Sequence, residues 1–125
     1  MNEKTRVIDW DSLEREHVRP GVSRAAFRGE NVLLVMNWLQ PGMEVRPHSH
    51  PFEQVVYIVQ GKMRFQIGDE TVEIGAGGVL RIPPNVQHCG EPISDEPVMN
   101  LDVFSPIRDD YRHLVAYQLA DFEDL

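Results

Sequence analysis

Between Gly21 and Phe104 the chain alternates short apolar-rich runs with breaks of Gly, Pro, Asn or Asp. The runs are Val22–Phe27, Val32–Leu39, Gln54–Val59, Lys62–Ile67, Thr71–Ile74, Val79–Ile82 and Val98–Phe104. They recur about every ten residues, the spacing of consecutive strands in all-β domains. Gln60-Gly61 and Gly68-Asp69 suit tight hairpin turns, because glycine takes positive φ at little cost. Gly75-Ala76-Gly77-Gly78 reads as a flexible corner, and Pro83-Pro84 must end a strand because two ladder donors are missing. No helical period is sustained between residues 21 and 105, so a sandwich or small barrel is expected. The charged first 19 residues read as an arm or a short helical turn. Asp110–Leu125 reads as a final strand or short helix, running into an acidic tail at 119–125.

Composition narrows the class. At 125 residues there is room for one domain, residues 1–125, with 42% hydrophobic residues to fill a core. The apolar runs are too short for a membrane helix, and the charged N-terminus carries no signal-peptide core. A single cysteine, Cys89, excludes an internal disulfide and fits a reducing cytoplasm. Twenty acidic against 12 basic residues, a net charge of −8, disfavour nucleic acid as a partner.

Of five histidines, His48 and His50 are the informative pair. On a strand, residues two apart share a face, which would put the two imidazoles roughly 6–7 Å apart in one volume. Two ring nitrogens so placed can meet on one ion, although His-Ser-His-Pro can equally be a solvated polar loop. Imidazole accepts Ni, Zn, Fe or Cu, so the ligand type does not choose the metal.

The surrounding residues give a longer pattern. Gly42, His48, His50, Gln54 and Gly61 spell G-x5-H-x-H-x3-Q-x6-G, and Gly77, Pro83, Asn85 and His88 spell G-x5-P-x-N-x2-H. This pair of motifs resembles the two signatures of the cupin superfamily, in the same order and separation, over roughly residues 20–107. The resemblance implies an all-β, double-stranded β-helix barrel (jelly-roll, RmlC-like), with one divalent metal ion (Ni, Zn, Fe or Mn) held by His48, His50, Gln54 and His88. Two residues depart from the usual pattern. Gln54 stands where most cupins have glutamate, and the adjacent Glu53 has the wrong strand parity to replace it. Pro92 stands where the second motif usually ends in asparagine. A neutral amide with three neutral imidazoles leaves the charge of a divalent ion uncompensated, so the site should attract an anion.

Along Val98–Phe104, parity places Asn100, Asp102 and Phe104 on one face and Met99, Leu101 and Val103 on the other. Solvent and core could divide these faces in the ordinary way. In a cupin barrel the first face would look into the lumen. The segment Asp102-Val-Phe-Ser-Pro-Ile-Arg108, with His48–Gln54 and Ile82–His88, is similar to the pectin-degradation cupins of the KdgF type. Those convert 4,5-unsaturated uronates to linear keto sugars. The resemblance implies Asp102, Phe104 and Arg108 in the pocket, with Asp102 an acid/base candidate and Arg108 a carboxylate-binding one. Two other readings keep the barrel: an iron-dependent dioxygenase of a small anionic substrate, and a sugar-binding cupin without turnover. A homodimer is expected, through apolar outer strand faces or the N-terminal arm.

The remaining candidates have ordinary readings. Cys89 follows His88 and should point away from the metal, as a small core or loop residue. His17 and His113 match no motif and read as surface residues. Arg46, Arg64 and Arg81 either line the barrel mouth or are solvated. Trp10 and Trp38 read as packing or interface residues. Gly90–Pro97 reads as a surface connection.

Overall fold

The computed structural model describes residues 5–122. Among these residues nine strands follow in chain order: β1 (Glu16–Arg19), β2 (Val22–Arg28), β3 (Leu33–Leu39), β4 (Gln54–Gln60), β5 (Lys62–Ile67), β6 (Glu70–Gly75), β7 (Val79–Ile82), β8 (His88–Pro92) and β9 (Val98–Phe104). They form two antiparallel sheets: six strands in the order β1-β2-β3-β9-β4-β7, and three in the order β6-β5-β8. Strands distant in sequence are thus neighbours, as a jelly roll requires. Each expected run from Val22 to Phe104 is a strand.

Period-two burial builds the interior. On β4, Gln54, Val56 and Ile58 are buried, and on β5 Met63 and Phe65 are. Together with Val22, Leu39, Ile82 and Val98 the apolar members fill one end of the barrel. Full burial of side chains of this size contributes about 1.5–3 kcal/mol each. A second cluster, Ala26, Leu33, Val35, Phe104 and Val115, closes the other end. Between the two clusters the inward face turns polar, and this is where the pocket lies. Gly61, between β4 and β5, has φ +87°, and a Cβ there would lie 2.7 Å from Val98 Cγ2. Only glycine makes that turn without displacing the core.

The two terminal segments hold the short helical turns expected of them, the first with an added strand, and one expected connection departs. The N-terminal arm is not merely a charged extension: Trp10–Ser12 is a 3-10 turn, and β1 pairs with β2 as the edge of the large sheet. Residues 1–4 of that arm lie outside the described residues. Part of the expected connection Gly90–Pro97 is strand, because β8 pairs with β5 from His88 to Pro92 before the chain turns away. The C-terminal segment Asp109–Asp121 is 3-10 helix, broken at Val115, and of the expected acidic tail residues 123–125 lie outside the described residues.

That 3-10 segment covers an open edge. Among the described residues, β1 pairs only with residues 22–24 of β2 and no strand pairs with the rest of that edge. Tyr117 donates its hydroxyl to the Ala26 carbonyl at 2.6 Å. Gln118 accepts from the Arg28 N–H at 2.8 Å and donates to the Arg28 carbonyl at 2.9 Å. The buried side-chain amide acts as a one-residue strand, satisfying both backbone groups.

The outer face of the large sheet is partly covered within the chain. Ala25, Met36 and Trp38 pack with Met99 and Leu101 under Trp10 and Leu13, and the Arg15 guanidinium lies 3.6 Å above the Trp38 ring. The two tryptophans are therefore packing residues here. Tyr57, Val59 and Val79 on the same sheet remain exposed. Among the described residues no helix is long and apolar enough to cross a membrane.

Candidate metal centre

The histidines do not converge by strand alternation. His48 and His50 lie in the loop between β3 and β4, where His48 forms an isolated bridge with His88 at the start of β8. Backbone bonds fasten this loop: the His48 N–H donates to the His88 carbonyl at 3.0 Å and the His88 N–H donates back at 2.8 Å. Asn85, at φ 65°, donates its N–H to the His50 carbonyl at 2.7 Å. An asparagine tolerates this left-handed backbone better than most residues. The Pro-Pro-Asn turn of the second motif thereby holds the loop of the first.

The three rings are centred 5.6 Å (His48–His50), 4.4 Å (His48–His88) and 4.9 Å (His50–His88) apart. Their ligating atoms all lie within 4.8 Å of one another. Each ring spends Nδ1–H on a carbonyl two residues away in the chain: His48 on Arg46 at 3.1 Å, His50 on Phe52 at 2.9 Å and His88 on Val86 at 2.9 Å. This repeated bond sets the tautomer, leaving a lone pair on every Nε2.

Two observations show that these atoms fit a cation. Nε2 of His88 is buried with no hydrogen-bond partner among the described residues. Nε2 of His50 faces Oε1 of Gln54 at 3.1 Å, lone pair against lone pair. Acceptors brought together need a positive charge between them, and burial, the Arg108 charge and His48 outweigh local hydrogen bonds to lower the His50 pKa, disfavouring imidazolium. Burial likewise lowers that of His88. A divalent ion held by the three histidines, with the Gln54 oxygen beside them, would satisfy all four of these lone-pair groups.

Gln54 is the first residue of β4 and is buried, whereas Glu53 is exposed and paired with Arg81. Its amide donates through Nε2 to Asp102 Oδ1 at 2.8 Å. Asp102 accepts two more amide bonds, from Asn100 at 2.7 Å and Asn37 at 2.9 Å. Burial is the largest influence on this carboxyl and pushes its pKa up to about 6, against the opposing pull of Asn100, Gln54, Asn37 and the Arg108 charge.

One cavity of about 170 Å³ is bordered by His48, His88, Gln54, Asp102, Phe104 and Arg108. The structure thus gathers these side chains, with His50 directly behind them. Phe104 is buried edge-on to His50, with ring centroids 6.1 Å apart, and lies beneath the Arg108 guanidinium at 4.8 Å. Arg108 is buried and paired with Asp110, and also stacks on Phe52 and Tyr111.

The other candidates divide between the cavity rim and the surface. Cys89 is half-buried on β8 and borders the same cavity, closer to the site than its position after His88 suggested. Arg46 borders the cavity and pairs with Glu44. Arg64 and Arg81 are exposed in carboxylate pairs. His17 is exposed, and His113 is exposed but bonded to Glu16. Three residues of the site carry no motif: Asn37, Asn100 and Arg24. Their signal was parity alone, since Arg24 shares the face of Val22 and Ala26 on β2, and Asn37 that of Leu33 and Val35 on β3.

Comparison with known proteins agrees with this geometry. The cupin domain family profile matches residues 38–104, a span that includes His48, His50, Gln54 and His88. An RmlC-like cupin from Shewanella frigidimarina has a similar structure, with a TM-score of 0.74, 25% identity, and coverage of 89% of this chain and 99% of that one. KdgF from Halomonas sp. is similar at TM-score 0.71 and 27% identity, over 80% of this chain and 94% of the other. The H2HPP isomerase of Bacillus subtilis is 28% identical over 99 residues, which cover 78% of this chain but only 39% of that protein. The chain spans about two-fifths of that relative's length. With the profile covering more than half its residues and the jelly roll in place, the chain belongs to the cupin domain family.

Proposed function

We propose that the protein is a metal-dependent isomerase that opens 4,5-unsaturated uronates to linear keto sugars. The observation that carries the reading is the bond from Gln54 to Asp102, which sets a buried carboxyl directly beside a neutral set of three imidazoles and one amide. The likeness to KdgF of Halomonas sp. and to an isomerase of Bacillus subtilis supports the same class of chemistry.

A divalent ion on His48, His50, Gln54 and His88 supplies Lewis-acid stabilisation of negative charge developing on oxygen. The chain's own residues handle the rest. The Asp102 carboxylate accepts the anomeric hydroxyl proton as the ring C1–O5 bond breaks and C1 becomes a carbonyl. The same proton is delivered to C4 as the enol oxygen on C5 becomes the second carbonyl. The sum is an isomerisation, with no co-reactant consumed. A carboxyl held near pKa 6 can both take and return a proton near neutrality. Arg108, immobilised by Asp110 and three aromatic rings, fixes the uronate carboxylate and so the distance from Asp102 to the reacting atoms. The test is the loss of unsaturated-uronate absorbance with metal-loaded protein. Acceleration over the uncatalysed rate is expected, and no acceleration with Ni, Zn, Fe or Mn would refute the reading.

A further inference from the structure

Two arginines in the pocket wall are built alike. Arg24, on the inward face of β2, gives Nε and Nη2 to Glu16 Oε1 at 3.0 and 2.6 Å. Arg108 gives Nε and Nη2 to the two oxygens of Asp110 at 3.1 and 2.7 Å. In both, a carboxylate outside the cavity grips the same edge of the guanidinium, and Nη1 has no acceptor among the described residues. Both guanidinium carbons lie over the Tyr111 ring, Arg24 at 4.5 Å and Arg108 at 4.0 Å from its centroid. The two cations are therefore separated by no more than the sum of those distances. Both side chains are largely buried, 18% and 8% exposed, and both border the cavity in which Asp102 is the only carboxylate among the bordering residues. The carboxylates that pair with these guanidiniums lie outside the cavity, so both arginines present cationic groups to its interior.

We infer that Arg24 and Arg108 together form a clamp for one carboxylate, each presenting its free Nη1 across Tyr111, so that Arg24 is a specificity-determining residue for acidic sugars. This deepens the reading above, on which it rests for the choice of a uronate as ligand. Glu16 and Asp110 act as positioning residues, because they hold each planar fork so that a ligand carboxylate meets it without reorganisation.

The clamp is tested by calorimetric titration of the metal-loaded protein with D-galacturonate and with D-galactose, the neutral analogue. Wild type is expected to bind galacturonate at least about tenfold more tightly than galactose. R24M and R108M are each expected to weaken galacturonate binding about tenfold or more, and galactose binding by a smaller factor. Wild-type affinity in R24M would overturn the clamp, as would failure of wild type to bind galacturonate. R24M also removes the Glu16 pair and can lose its fold, so the wild-type protein carries a second test. Its Arg24 Nε–H resonance should shift with galacturonate and stay fixed with galactose, and no shift with either would overturn the inference. Arg24-dependent galacturonate binding without turnover of unsaturated uronates would support the clamp while sinking the proposed reaction.

Discussion

Gln54 donates Nε2 to Oδ1 of Asp102 at 2.8 Å, and this bond decides which end of the amide faces the histidines. Asp102 also receives the amides of Asn100 and Asn37, so its carboxylate is surrounded by donors. Turning Gln54 over would set its oxygen against a carboxylate oxygen. The carboxylate thus holds Oε1 toward His50 and joins the metal donors to the acid/base candidate as one unit.

Gln54→Glu separates the two halves of that unit. A glutamate in place of Gln54 is a competent metal donor but cannot donate to Asp102, and it brings a second carboxylate against the first. Metal content should stay near one ion per chain while turnover falls about tenfold or more, since the developing negative charge loses part of its stabilisation. Elemental analysis alongside the uronate assay checks both halves, and undiminished turnover would show that amide neutrality is irrelevant to the chemistry.

Asp102→Asn removes the proton carrier and turns an acceptor of three amide bonds into a group with a donor of its own. Turnover is expected to fall about 10²- to 10³-fold, within the range for loss of a general acid–base group. Metal stoichiometry should be preserved, because the asparagine side-chain oxygen can still accept from Gln54 Nε2 and so keep the Gln54 oxygen beside His50. If the variant loses its metal as well, Asp102 serves chiefly to hold Gln54.

How far the sequence carried depended on the kind of signal. The strands from Val22 to Phe104 were legible because period-two alternation and glycine or proline breaks are local properties. His88 joined His48 and His50 only through the longer motif, since the contact between them is a non-local bridge. The premise that His48 and His50 share a strand face does not hold. The loop converges through backbone bonds to His88 and from Asn85, which spacing does not express. Arg24 was hidden for another reason. A charged residue on an apolar strand face reads as an outward one until Glu16 and Tyr111, far away in sequence, come to hold it inward.

Removing the metal should destabilise the fold as well as stop turnover. Binding restricted to the folded state adds about 2.7 kcal/mol when free ion is at 100 times its Kd. For a domain of this size that is a shift in Tm of roughly 10 °C. Thermal unfolding before and after chelation should show it, with His88→Ala abolishing the metal-induced shift. An identical Tm with and without added ion would argue that the four donors retain none.

Glu16 gives stability a defined pH dependence. Burial raises its pKa, but the Arg24 and His113 contacts together prevail and hold it below the ordinary carboxylate range. The unfolded chain therefore binds this proton more readily, and the contribution is present above the ordinary value and lost as pH falls through the folded one. The pair is partly solvated, so its worth is about 0.5–1 kcal/mol. Glu16→Gln should lower Tm at pH 7, and the deficit should close only in acid below the ordinary carboxylate range, where the folded-state carboxylate is protonated. A deficit that persists unchanged in acid would assign the effect to packing of β1 instead of charge.

Gln118→Ala tests the edge protection of β2. The side chain is buried and answers both the N–H and the carbonyl of Arg28. Truncation leaves two backbone groups without partners in a place that water reaches poorly, and opens a small cavity beneath the 3-10 segment. The combined cost should be roughly 2–3 kcal/mol, from unmet hydrogen bonding more than from lost apolar contact. Gln118→Leu separates these contributions, because it restores volume without restoring the bonds. If the leucine variant is as unstable as the alanine one, backbone satisfaction holds the segment in place, whereas recovery to wild-type stability would show that packing alone suffices.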